Sequence, residues 1–129
     1  MEGKIMTSNR IALPDRTSSL LANGATAIVI PIKPRDGLVY SRDFKPPCQP
    51  GKPLYLLETM NKWPCRRVWK DWTVEAVQIR MIPKEYIKKI GIKSSEGDTY
   101  FHYYFKYINE TYPHLNMDTW VWYIEKVKN

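Results

Sequence analysis

A chain of 129 residues has room for one domain with one substantial core. With 43% hydrophobic and 26% charged residues it has the balance of a folded globular protein, which excludes a disordered tail. The net charge of +7 favours anionic partners such as nucleic acid or acidic lipid, or else serves solubility, and no run of five basic residues concentrates it.

In chain order, Ile11-Ala12-Leu13 reads as a short strand. Pro14-Asp15 offers a helix start with Asp15 as the cap, and Leu20 and Leu21 give that helix a narrow apolar face. Asn23-Gly24 is a turn signal, and the β-branched, apolar run 26–33 is the clearest buried strand, stopped by Pro34. Residues 34–53 carry five prolines and form a long loop, with a short strand at 38–41.

Residues 54–60 form a second strand, with Glu58 at the end of its apolar run. Residues 61–71 read as a basic, aromatic loop. Residues 73–82 return to strand, where Val77, Ile79 and Met81 alternate with Gln78, Arg80 and Ile82. Pro83-Lys84-Glu85 starts a short helix with Tyr86, Ile87 and Ile90 inward, ended by Gly91. After a polar loop, Asp98 or Thr99 caps a helix over 99–110 whose core face is Phe101, Tyr104, Phe105 and Ile108. Tyr112-Pro113-His114 breaks it, and residues 119–127 close the chain as a strand with Trp120 and Trp122 on one side. Irregular connections argue against βαβ units. The expected fold is α+β, a single domain over 1–129 with a small mixed sheet closing into a partial barrel and helices packed at its ends.

The chemistry-bearing residues are few. Cys48 and Cys65 lack metal-ligand spacing and read as free thiols of a reducing compartment, and His102 and His114 have no matching ligands, so no metal or cofactor is expected. There is no signal-like segment and no stretch long enough to span a membrane, which makes a cytoplasmic protein the expectation. Glu58 is either paired within the fold, with Arg80 as a partner, or an acid/base group. Lys62, Trp63, Arg66, Arg67, Trp69 and Lys70 mix cations with flat rings, which suits backbone phosphates and base stacking, or else the Trp residues cover the core. Lys33 and Arg35 would extend a basic rim.

Several segments together resemble the ASCH-domain proteins of phages and prophages, a group of the PUA-like superfamily. The carriers are GKPLYLLETM, the span from Val77 to Ile92, the C-terminal YFKYINETYPHLNMDTWVWYIE, and an opening stretch ending in Pro31, Lys33 and Pro34. The resemblance implies a PUA-like pseudo-barrel and RNA, single-stranded nucleic acid or nucleotide binding in a cleft beside Thr26 and Glu58. It also implies, as alternatives, hydrolysis of an acetylated cytidine, nuclease activity, or a protein-binding role in phage assembly. The family's Arg-Lys pair falls here on Gly24 and Ala25, and its later Thr-Arg-Arg on Ile28, Val29 and Ile30, so its basic positions are Gly24, Ala25, Val29 and Ile30. A hydrolase needs a base or a cation beside its carboxylate, so the expectation is a binding module rather than an enzyme.

Overall fold

The computed structural model describes residues 9–32, 48–49, 51–58, 65–92 and 100–127. The elements are β1 (Arg10–Leu13), α1 (Asp15–Ala22), β2 (Ala27–Pro31), β3 (Leu54–Glu58), β4 (Cys65–Trp69), β5 (Trp72–Gln78), α2 (Lys84–Ile90), α3 (Tyr100–Thr111) and β6 (Trp120–Lys126). A single 3-10 turn, Ile79–Met81, joins β5 to α2. The α+β class holds, but the strands form two separate three-stranded sheets instead of one closing barrel. The first has the order β1-β3-β4 and the second β2-β6-β5. Among the described strands only β1 and β3 run parallel. At the Lys70-Asp71 bend the chain leaves the first sheet, and β5 pairs with β6 rather than continuing the β3–β4 ladder.

The two sheets differ in what covers them. Ala27 and Val29 of β2, Val77 of β5 and Val121 and Tyr123 of β6 meet Ile87, Ile90, Tyr104, Tyr107 and Ile108 of the helices. The alternate residues of the same strands, among them Ile28, Trp72, Trp122 and Ile124, face the first sheet through Ile11, Leu13, Leu54, Leu56 and Trp69. Covered on both faces, the second sheet has to be apolar almost throughout, which explains the runs AIVIP and WVWYI. Among the described residues the first sheet is covered on one face, and its strands alternate.

Both short helices stop in the same way. Gly24 N–H donates to the Leu21 carbonyl and Ala25 N–H to that of Leu20, while Gly91 N–H donates to Lys88 and Ile92 N–H to Ile87. In each pair the glycine takes a left-handed φ, 104° at Gly24 and 96° at Gly91. The two ends also touch, because Thr26 N–H donates to the Lys89 carbonyl at 2.9 Å. A Cβ at Gly91 would lie 3.1 Å from the Ala25 Cβ, whereas one at Gly24 would meet nothing within 4 Å. Gly91→Ala is therefore expected to cost about 1–2 kcal/mol in chemical denaturation, and more than Gly24→Ala, which bears the backbone penalty alone. Equal costs at the two sites would show that the contact with Ala25 relaxes freely.

Several local expectations are corrected. Pro14, not Asp15, occupies the N-cap, and no side chain caps α1; Asp15 is the first helical residue, where its charge still suits the helix end. The basic, aromatic loop contains a strand, β4, because residues 65–69 pair with β3 along its whole length. The strand over 73–82 ends at Gln78, and the 3-10 turn then reverses the alternation: Ile82 is buried and Met81 is 67% exposed. In α3 the core face is Tyr104, Tyr107 and Ile108, and Phe101 is 37% exposed, since α2 packs toward the side bearing Tyr100 and Tyr103. The strand at 38–41 and the helix cap at Asp98 or Thr99 lie outside the described residues.

The start of β3 is fixed by a side chain that stands in for backbone. Asn9, almost fully buried, accepts the Gln49 N–H at 2.9 Å and donates to the Gln49 carbonyl at 2.9 Å. Trp72 Nε1 donates to the Lys52 carbonyl at 2.7 Å. These bonds satisfy backbone groups at an irregular point and seat the free thiol of Cys48 in the core between the sheets. Burial pushes that thiol up to about 11, so it stays protonated and unreactive at neutral pH.

Candidate nucleic-acid interface

The face of the first sheet turned away from the second is built by simple alternation. In β1, Ile11 and Leu13 are buried and Arg10 and Ala12 are exposed. In β3, Leu54 and Leu56 are fully buried, while Tyr55 and Leu57 are half-exposed. In β4, Trp69 is buried and Val68 is 45% exposed. The ladders place these residues in rows across the strands. Arg10 is opposite Tyr55 and Tyr55 is opposite Val68; one step along, Ala12 is opposite Leu57 and Leu57 is opposite Arg66. The face thus presents a cation, a ring and an aliphatic side chain in one line, and none of its six strand positions is acidic. Lys52 and Lys70, both exposed, flank the end of the sheet nearest the Arg10 row.

This arrangement divides the residues expected to act together. Arg67 is registered opposite Leu56 of the core and is half-buried, whereas Arg66 is registered opposite Leu57 of the open face. Trp69 is opposite Leu54, 4% exposed, and belongs to the core; it cannot serve as a stacking platform, because its strand neighbours and the second sheet cover it. Lys70 remains exposed at the bend. Glu58 closes β3 opposite Leu13 and Cys65. Arg80, considered as its partner, is instead drawn to Asp118, with Nε 2.8 Å from Oδ1, because the 3-10 turn carries it to the β6 side. Thr26 is exposed, and its backbone is engaged on both sides by Lys89 and Lys126. Lys33, Arg35, Lys62 and Trp63 lie outside the described residues.

A second polar constellation, unforeseen from the residue pattern, sits where α2 crosses the second sheet. Tyr86 stacks on Tyr123 with centroids 3.9 Å apart and planes within 9°. Tyr86 Oη donates to Glu75 Oε1 at 2.6 Å, Tyr123 Oη to Glu125 Oε1 at 2.9 Å, and Lys89 Nζ to Glu125 Oε2 at 2.7 Å. The Glu75 bond, with some burial and the nearby charges of Glu75 and Glu125, pushes the Tyr86 phenol up to about 12. Burial and the Glu125 bond raise Tyr123 further. Burial opposes the charge on Glu125, but the bonds from Lys89 and Tyr123 and the Lys89 charge outweigh it and hold its carboxyl below the ordinary range. A carboxylate so well solvated by donors is a poor base, and phenols this weakly acidic are poor proton donors at neutral pH. The cluster works as a brace between α2 and the sheet. Only the pairing of β5 with β6 brings Glu75 opposite Tyr123, which is why residue spacing alone does not reveal it.

Among the described residues no group of three or more His, Cys, Asp or Glu is placed to hold a metal ion, and no helix is long and apolar enough to cross a membrane. Comparison with protein-family models, with curated proteins and with solved structures finds no match to this chain.

Proposed function

We propose that this chain is a non-catalytic nucleic-acid- or nucleotide-binding domain, related to the ASCH and PUA-like proteins, whose anionic ligand lies on the open face of the first sheet. The observation that carries the function is the row Arg10, Tyr55, Val68 on a face without acidic strand positions, in a protein of net charge +7. Phosphates would meet Arg10 and the flanking Lys52 and Lys70, while the apolar part of the ligand would meet Val68. The kinship rests on the segment resemblance, in GKPLYLLETM and the Trp-rich end of the chain above all. The ligand site differs from the cleft beside Thr26 and Glu58 that the family resemblance implies.

Affinity for labelled RNA, measured by fluorescence anisotropy over a salt series, tests this. The wild-type chain should bind at low salt and weaken steeply as salt rises. Arg10→Ala should weaken binding about three- to tenfold and lower the slope of log affinity against log salt by about one. Unchanged affinity and slope in Arg10→Ala, or no binding at low salt, would reject the proposal.

A further inference from the structure

Resting on the nucleic-acid function proposed above, we infer that the ligand is a phosphodiester chain and not a single nucleotide, held where the two sheets meet and reaching Lys126 of the second sheet. The basis is where the strands begin and end. Leu54 at the start of β3 is opposite Trp69 at the end of β4, and Trp72 at the start of β5 is opposite Lys126 at the end of β6. β1 also starts here, with Arg10 opposite Tyr55. Backbone groups tie these ends together. Trp72 Nε1 donates to the Lys52 carbonyl at 2.7 Å, Val127 N–H to the Asp71 carbonyl at 2.9 Å, and Lys126 N–H to the Thr26 carbonyl at 2.9 Å. Lys52, Lys70 and Lys126, far apart in the chain, are thereby gathered around Trp72, with Arg10 on the neighbouring outer strand.

These cations are available. All four are exposed, and the ion pairs formed among the described residues take up Arg16, Arg80 and Lys89 instead. Asp71 is the acid among them, and Glu125 beside them is already held by Lys89 at 2.7 Å. At the opposite end of the second sheet the charges are matched, Arg80 against Asp118. Like charges gathered without partners repel, and a bound polyanion relieves that repulsion. The dimensions select its length. Strands about 4.8 Å apart in sheets about 10 Å apart spread the four cations over more than roughly 10 Å, which the phosphate of one nucleotide cannot cover. Only a ligand whose charge repeats along its length meets them all. Lysines act as point charges on flexible stems, so they follow a phosphate backbone without reading its bases. Affinity should therefore follow the number of phosphates and not the sequence.

The test measures fluorescence anisotropy of labelled uridylates, from the mononucleotide to about the octamer, over a salt series, each variant being checked for folding by circular dichroism. Affinity should rise with each phosphate up to about four and then level off, the octamer binding at least about tenfold more tightly than the mononucleotide. The wild-type slope of log affinity against log salt should be about 3 for the octamer. Lys126→Gln should weaken octamer binding about two- to fourfold and lower the slope by about 0.7. The triple variant Lys52→Gln, Lys70→Gln, Lys126→Gln should bring the slope to about 1 or below. Lys106→Gln, exposed on α3 beyond the other face of the second sheet, should change neither. Should the triple variant fail to fold, Lys126→Gln alone carries the readout. A mononucleotide bound as tightly as the octamer, or wild-type affinity and slope in Lys126→Gln while Arg10→Ala weakens binding, would overturn the inference and leave the broader function standing. No binding to any uridylate at low salt, even if the chain sediments with phosphatidylserine vesicles, would remove both.

Discussion

A Trp122→Ala chain should lose about 3–5 kcal/mol of folding stability in chemical denaturation. Trp122 is 6% exposed at the centre of β6, the middle strand of the middle layer. Its ladder neighbours are Ile30 on one side and Ala76 on the other. The small Ala76 leaves the space that the indole fills, and the first sheet closes over it with Trp69, Leu54 and Leu56. Truncation therefore opens a cavity between two sheets that are each anchored elsewhere and cannot collapse into it. For a domain of total stability on the order of 5–15 kcal/mol, such a loss would leave a substantial unfolded fraction. Trp120, two residues earlier on the same side but only half-buried, should cost roughly half as much, in proportion to the apolar area it removes from water. Equal effects at the two positions would show that the inter-sheet core is not centred on Trp122.

The second large effect is alkaline. Burial raises the phenols of Tyr104, Tyr107, Tyr112 and Tyr123, and the Glu75 bond raises that of Tyr86 to about 12. A phenol is neutral when protonated, so each of these groups holds its proton more tightly in the folded chain than in the unfolded one. The stability they contribute is complete below the ordinary phenol value near about 10 and is lost as pH climbs through the folded values. Five such groups in a small domain give a steep fall. Stability should be level from neutrality to about pH 9 and then collapse, with tyrosinate absorbance lagging in the folded chain and rising together with loss of circular dichroism. Tyr86→Phe should shift the collapse only slightly. A gradual tyrosinate titration near pH 10 with secondary structure intact would contradict the burial of these rings.

The elements with strong apolar pattern were legible from residue order. The strand 26–33, the strand 54–60, the helix ended by Gly91 and the final Trp-rich strand all appear within the described residues. β4 was not legible, because its two Arg and the proline before it look like loop, and only pairing with β3 makes it a strand. Trp69 was misplaced for the same reason: a Trp beside cations resembles a platform until its ladder partner, the buried Leu54, is known. The barrel was expected because strand count suggested it; the two-sheet solution depends on β2 and β1 choosing partners far along the chain. The candidate face was hidden likewise. Arg10, Tyr55 and Val68 are separately ordinary, and become a site only when two ladders align them.

The position of β6 bears on how the protein is made. Both neighbours of this strand, β2 and β5, leave the ribosome before it does, and β2 does so almost the whole described length earlier. Until residues 120–126 emerge, neither has its ladder, and two apolar strands wait with open edges. The nascent chain can close the local β3–β4 hairpin early, yet the middle layer can assemble only once residues 120–126 are available. Slowing translation just before residue 120 should therefore lengthen the interval in which the chain needs chaperone cover.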